Sequence, residues 1–154
     1  PFLVRWPGVV AAGTVCTQLV HQADVMATLA DVLGTKLPDN AGEDSFSLLP
    51  LLRGGDQSVR PHAISCAAHG VPGLRRGDWK FIPGREPQLY QLADDIGETN
   101  NLASARPDVV QGMRTLLDKL ITDGRSTPGP PQRNDVEVRR HDPVRAALPR
   151  EPGS

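Results

Sequence analysis

Apolar and polar positions follow three regimes along this chain, and each predicts a different kind of structure. In "HQADVMATLADVLG" the residues Val25, Met26, Leu29, Val32 and Leu33 recur at the spacing of one helix face. Asp24 stands where an N-cap belongs, and Gly34 where a left-handed stop ends a helix. Before this helix, Phe2 to Val4 predicts a short buried strand closed by a turn at Trp6-Pro7-Gly8. "GVVAAGTVCTQLV" predicts a glycine-punctuated loop with a brief extended piece. After the helix, "TKLPDNAGEDS" predicts turns, and "FSLLPLLRGG" a short helical turn with a proline inside it.

From Pro61 to Leu92 the pattern changes to short strand-like runs, "HAISC", "GLRR", "DWKFI" and "QLYQL", cut by glycine and proline. Gaps of a few residues suit hairpins, whereas parallel neighbours need a crossover of a dozen residues or so, and an antiparallel meander follows. "ADDIGETNNLAS" predicts a turn region. The third regime is a second, longer helix. Pro107 suits its first position and Asp108 its N-terminal dipole, Val109, Val110, Met113, Leu116, Leu117, Leu120 and Ile121 form its apolar stripe, and Gly124 ends it. Beyond Gly124 the chain holds six of its fifteen prolines, six arginines and few large apolar groups, which predicts a tail without a core of its own. The pattern as a whole predicts an α+β chain.

Composition narrows the partners. The chain has 154 residues, enough for one core, and 17 Lys+Arg against 18 Asp+Glu. That balance removes a global attraction to nucleic acid or to an anionic membrane. No apolar run approaches the roughly 20 residues of a membrane-spanning helix. "PFLVRWPG" has none of the features of a signal peptide and opens directly on an apolar run, from which the chain is expected to be a fragment.

Candidate chemistry is sparse. Asp94, Asp95 and Glu98 invite a calcium reading, but without the alternating carboxylates of a calcium loop they suit a turn better. His21, His62, His69 and His141 are too scattered for a zinc site, although His69 beside Gly70 stands where a loop could carry it to a substrate. Ser45, Ser47, Ser58 and Ser65 lack a nucleophile-elbow context. Cys16 and Cys66 match no metal motif, and Cys66 has no basic neighbour to activate it. Arg75, Arg76, Lys80 and Arg85 in "LRRGDWKFIPGR" make a basic hairpin in a nearly neutral chain. Guanidinium forks suit sulfate or carboxylate, but on a strand Arg75 and Arg76 must point to opposite faces.

Six stretches in series, "PFLVRWPG", "DVMATLADVLGTKLP", "SLLPLLRG", "LRRGDWKFI", "QLYQLADDIGETNNLA" and "RPDVVQGMRTLLDKL", resemble the C-terminal third of an arylsulfatase-type sulfatase. The resemblance covers about residues 1 to 138 and implies an α/β enzyme of alkaline-phosphatase-like fold. Such enzymes hydrolyse a sulfate ester with a formylglycine made at [CS]-x-P-x-R and with a calcium ion. This chain has no [CS]-x-P-x-R: Cys16 is followed by Thr-Gln-Leu and Cys66 by Ala-Ala-His. The resemblance places nucleophile and metal ligands upstream, so no catalytic residue and no bound metal are expected here.

It further implies one strand and helix of the large sheet layer, then a small antiparallel sheet packed by a long helix. The implied division is the end of a catalytic domain over 1–55, a C-terminal subdomain over 56–124 and a disordered tail over 125–154. Implied partners are the missing N-terminal catalytic domain and a sulfated small molecule or glycan. A periplasmic or secreted location also follows from the family.

Substrate-binding candidates are His69, Arg75 and Lys80. His69 departs from the family pattern, because a His-His-Ser run in relatives corresponds to Ser65, Cys66 and Ala67 here. Trp79 and Leu74 are expected to pack, Gly77 to turn the hairpin, and Arg75 or Lys80 to anchor a domain contact. Two rival readings remain: a non-catalytic module that binds sulfated glycans, and a phosphate or phosphonate monoester hydrolase of the same superfamily.

Overall fold

The computed structural model describes residues 2–68 and 70–140. The elements run α1 (Asp24–Val32), α2 (Leu49–Leu52), β1 (Ala63–Cys66), β2 (Pro72–Arg76), β3 (Trp79–Ile82), β4 (Gln88–Gln91) and α3 (Pro107–Asp123). The described residues divide into two compact units, one of residues 2–63 and 118–134, the other of residues 64–68, 70–117 and 135–140.

The first unit is organised by polar groups. Asp24 is fully buried and forms an ion pair with Arg60 at 3.0 Å, Arg60 being as thoroughly buried. The Asp24 carboxylate also accepts the backbone N–H of His21 at 2.8 Å and of Phe46 at 3.0 Å. Arg60 also donates to the carbonyls of His62 and Asp44 and lies 5.0 Å from the centre of the Phe46 ring. Burial lowers the Arg60 pKa and the Asp24 charge opposes that shift, which is the balance a buried ion pair must strike. Thr28 and Ser45 complete the lattice: Thr28 Oγ1 donates to the Asp24 carbonyl and accepts from Leu48 N–H, and Ser45 Oγ donates to the Ala23 carbonyl and accepts from Ala27 N–H.

This lattice explains where α1 departs from expectation. The helix caps at Ala23 without a side-chain bond, and Asp24 turns inward as its first residue. Its buried residues are Asp24, Thr28 and Ala30, while the apolar stripe faces outward, Leu29 being 55% and Leu33 77% exposed. The C-terminus is as the sequence indicates. Gly34 has φ +66, with Gly34 N–H on the Asp31 carbonyl and Thr35 N–H on the Ala30 carbonyl, the paired bonds of a Schellman stop. Phe2 to Val4 forms no strand in this structure, and Leu3 is 91% exposed. A strand needs a laddered neighbour.

Residues 125–134, which the sequence assigns to the tail, are held by hydrogen bonds. Arg125 is buried and donates to the carbonyls of Asp39, Thr127 and Pro130. Ser126 and Thr127 N–H both reach the Glu43 carbonyl, and Gln132 N–H reaches that of Asp123. The chain turns at Gly124, φ +61, where a Cβ would sit 2.0 Å from the Gln132 carbonyl oxygen. Low hydrophobicity hid this segment because a buried guanidinium, not an apolar side chain, orders it. Residues 141–154 of that tail lie outside the described residues.

The second unit is the expected meander: a four-stranded sheet in the order β1-β2-β3-β4, with β2–β3 and β3–β4 antiparallel. Leu74, Phe81 and Leu89 pair across three strands and are wholly buried. Met113 and Leu117 of α3 are buried in the same unit, and Arg114 lies 5.7 Å from the Phe81 ring centre. The outer edge of β4 is occupied: Leu89 N–H donates to Asn101 Oδ1, and Leu102 N–H to the Leu89 carbonyl.

Two substitutions test these supports. Arg60→Met strands a buried carboxylate and is expected to cost about 3–5 kcal/mol in denaturant unfolding. Gly124→Ala should cost more than about 1 kcal/mol, through strain at positive φ and the clash at Gln132, and should open residues 125–134 to limited proteolysis.

Candidate functional site

The hairpin that carries the basic residues is set by its turn. Gly77, at φ +56, precedes Asp78 in the two-residue loop between Arg76 and Trp79, the arrangement in which glycine leads a type II′ turn. That fixes the register Arg76↔Trp79, Arg75↔Lys80, Leu74↔Phe81. Leu74 is buried in the sheet core and Trp79 is half-buried beneath Arg106, whose guanidinium lies 5.4 Å from the indole ring centre. Both packing expectations hold.

Alternation puts Arg76, Trp79 and Gln91 on the face of the buried row, and Arg75, Lys80 and Tyr90 on the other. Arg75 and Lys80 are therefore brought together. As a non-hydrogen-bonded pair one step from the turn, their Cβ atoms lie about 5 Å apart. Each of the two cationic heads has a partner of its own. Lys80 Nζ lies 2.6 Å from Glu98 Oε1, each side chain 32% exposed, and Arg75 Nε donates to the Gly77 carbonyl at 3.1 Å. Arg76 and Arg85 are exposed. His69, the third candidate, lies outside the described residues.

Glu98 is the member of this cluster that the sequence, weighing it for calcium and for a turn, did not connect with Lys80. It sits at φ +55, the one non-glycine residue at positive φ among the described residues. Asp95 builds the loop that holds it there: Oδ1 accepts from Thr99 N–H and Oγ1, and Oδ2 from Asn100 N–H. These backbone bonds depress the Asp95 pKa. With Asp95 and Glu98 so engaged, the acidic cluster does not fit a calcium ion. Among the described residues no group of three or more His, Cys, Asp or Glu side chains converges on a metal position.

Cys16 and Cys66 are both exposed free thiols. Neither lies in a formylglycine motif, so the residues present do not fit that group either. Ser45 is occupied by α1, and Ser58 Oγ donates to the Arg60 carbonyl. His21 Nδ1 accepts the Ala23 N–H, and His62 is buried beside Arg60.

No protein-family model matches the chain. Curated relatives do. The chain is 32% identical over 139 residues to an N-acetylgalactosamine-6-O-sulfatase of Bacteroides thetaiotaomicron, covering 79% of this chain and 27% of that one. It is 42% identical over 163 residues to a ulvan-active sulfatase of Formosa agariphila, covering 80% and 31%. A solved structure from work on the metabolism of multiple glycosaminoglycans by Bacteroides thetaiotaomicron superposes with a TM-score of 0.72 at 33% identity, covering 78% of this chain and 28% of that chain. The chain thus spans under a third of the length of each of these relatives.

A prediction follows for the loop beside Lys80. A depressed aspartate pKa contributes stability above the unfolded value, about 3.9, and loses it as pH falls through the folded value. Protection of the Thr99 and Asn100 amides, measured against the exchange rate of an unstructured chain at the same pH, should therefore fall below about pH 4. Asp95→Asn should lower that protection at neutral pH and flatten its pH dependence.

Proposed function

We propose that this chain, a sulfatase homologue that matches the C-terminal part of its relatives, serves as the C-terminal portion of an enzyme hydrolysing a sulfate ester. The carrying observation is the relationship itself: sequence and backbone both follow sulfatases over about four-fifths of the chain. A physical observation supports it independently. Val25, Met26, Leu29, Val32 and Leu33 turn outward from α1, and Phe2 and Leu3 are also exposed. Apolar surface on that scale calls for a covering partner.

In this reading the partner is the upstream catalytic domain of the same polypeptide. Residues 1–55 complete that domain, Phe2 to Val4 adding a strand and α1 a covering helix to its large sheet, within an alkaline-phosphatase-like fold. Residues 56–124 form the C-terminal subdomain, and residues 125–154 its tail. The formylglycine and the calcium ion belong to the upstream domain, and the chain alone is inactive. A sulfated glycan is the favoured substrate, since the named relatives act on N-acetylgalactosamine-6-O-sulfate groups and on ulvan. His69, Arg75 and Lys80 are its proposed contacts. A periplasmic or secreted location accompanies the reading.

The test is to extend the reading frame upstream and express the longer protein. The expected result is a frame encoding [CS]-x-P-x-R whose product releases sulfate from N-acetylgalactosamine 6-sulfate or from a sulfated oligosaccharide, with Cys→Ala at that motif abolishing release. A longer protein that lacks the motif, or that cleaves only phosphate or phosphonate esters, would sink the proposal.

A further inference from the structure

We propose that the sheet face carrying Arg75 and Lys80 is an oxyanion seat for an acidic glycan, in which Glu98 is a built-in occupant that the ligand must displace. The choice of glycan rests on the sulfatase reading; the seat rests on the geometry of the hairpin.

Three observations converge. The register sets Arg75 directly opposite Lys80, so two cationic side chains leave neighbouring positions on one sheet face of a chain whose charges otherwise nearly cancel. Arg75 is tethered through Nε to the Gly77 carbonyl, which leaves the terminal fork of the guanidinium available for a two-point contact with a sulfate or carboxylate. Lys80 already holds an oxyanion, the Glu98 carboxylate at 2.6 Å, supplied from a loop eighteen residues away and presented at a backbone conformation that residues other than glycine rarely adopt.

A pair exposed to this degree exchanges readily, because water and salt compete for both members. Glu98 therefore neutralises Lys80 until a ligand arrives, and it sets a threshold for that ligand. A sugar acid group that bridges Arg75 and Lys80 gains contacts to both; one that reaches only Lys80 merely replaces Glu98. The seat thus favours a ligand rigid enough to hold its anion over the pair. Arg76, next in sequence but on the opposite face, takes no part.

Binding of a chondroitin 6-sulfate tetrasaccharide to this chain, followed by calorimetry at low and moderate salt, tests the seat. Unsulfated chondroitin tetrasaccharide distinguishes the sugar carboxylate from the sulfate ester. Arg75→Ala is expected to weaken binding about ten-fold and Arg75→Lys to recover only part, because the fork is lost while the charge remains. Glu98→Gln should tighten binding about three-fold, and Arg76→Ala should leave it within about two-fold.

Equal losses from Arg75→Ala and Arg76→Ala would reduce the effect to diffuse charge and overturn the proposal. So would an unchanged affinity in Glu98→Gln, or no binding by either the wild type or that variant. Melting temperatures for each variant separate loss of the seat from loss of the fold. Binding is scored on this chain and hydrolysis only on the extended protein, so failure of one leaves the other standing.

Discussion

The first unit depends on one buried charge finding every partner it needs. A carboxylate withdrawn from water costs several kcal/mol unless its lone pairs are filled, and Asp24 fills them from three directions. The donors come from residues 21, 46 and 60, segments that local pattern alone would leave as separate loops. Because Arg60 reaches onward to the carbonyls of Asp44 and His62, the pair links the start of α1, the connection before α2 and the approach to β1. Directional bonds of this kind fix a single arrangement. That role suits a unit with few large side chains inside it, where shape complementarity between apolar groups can contribute little.

The second unit is built the opposite way. Its order comes from a three-strand apolar row and a tight glycine turn, and its charged groups lie outside that row. The consequence for the candidate site is direct. Turn type sets register, register sets which face each side chain takes, and face decides that Arg75 lies beside Lys80 on one side of the sheet while Arg76 takes the other. A shift of one residue would exchange the two arginines.

How much of this was legible in the sequence differs by element. The meander, the extent of α3 and the stops at Gly34 and Gly124 were readable, because short alternation, a long amphipathic stripe and glycine at a helix end are local signals. The direction in which α1 faces was not. Periodicity identified its apolar stripe correctly, but the stripe looks outward in this chain because Asp24, Thr28 and Ala30 are the residues held inside. The order of residues 125–134 was hidden for a related reason, since Arg125 reads as a solvated charge until its three carbonyl acceptors are known. At the site, the Arg75–Lys80 pairing needed the turn register, and Glu98 needed the Asp95 loop that carries it to Lys80. The family relationship, by contrast, was recoverable from six stretches in order.

The plain order of the sheet has a consequence in time. Each strand of β1-β2-β3-β4 pairs with the one before it in sequence, so each ladder closes only a short loop and requires little chain entropy to be surrendered at once. Such a meander can assemble by adding one strand at a time, starting at the Gly77 turn. The ion-paired lattice around Asp24 must instead gather residues thirty-six positions apart before any member is satisfied. The two units therefore have different kinetic characters. The hairpin bearing Arg75 and Lys80 belongs to the piece that can acquire its shape early, from neighbours only a few residues away.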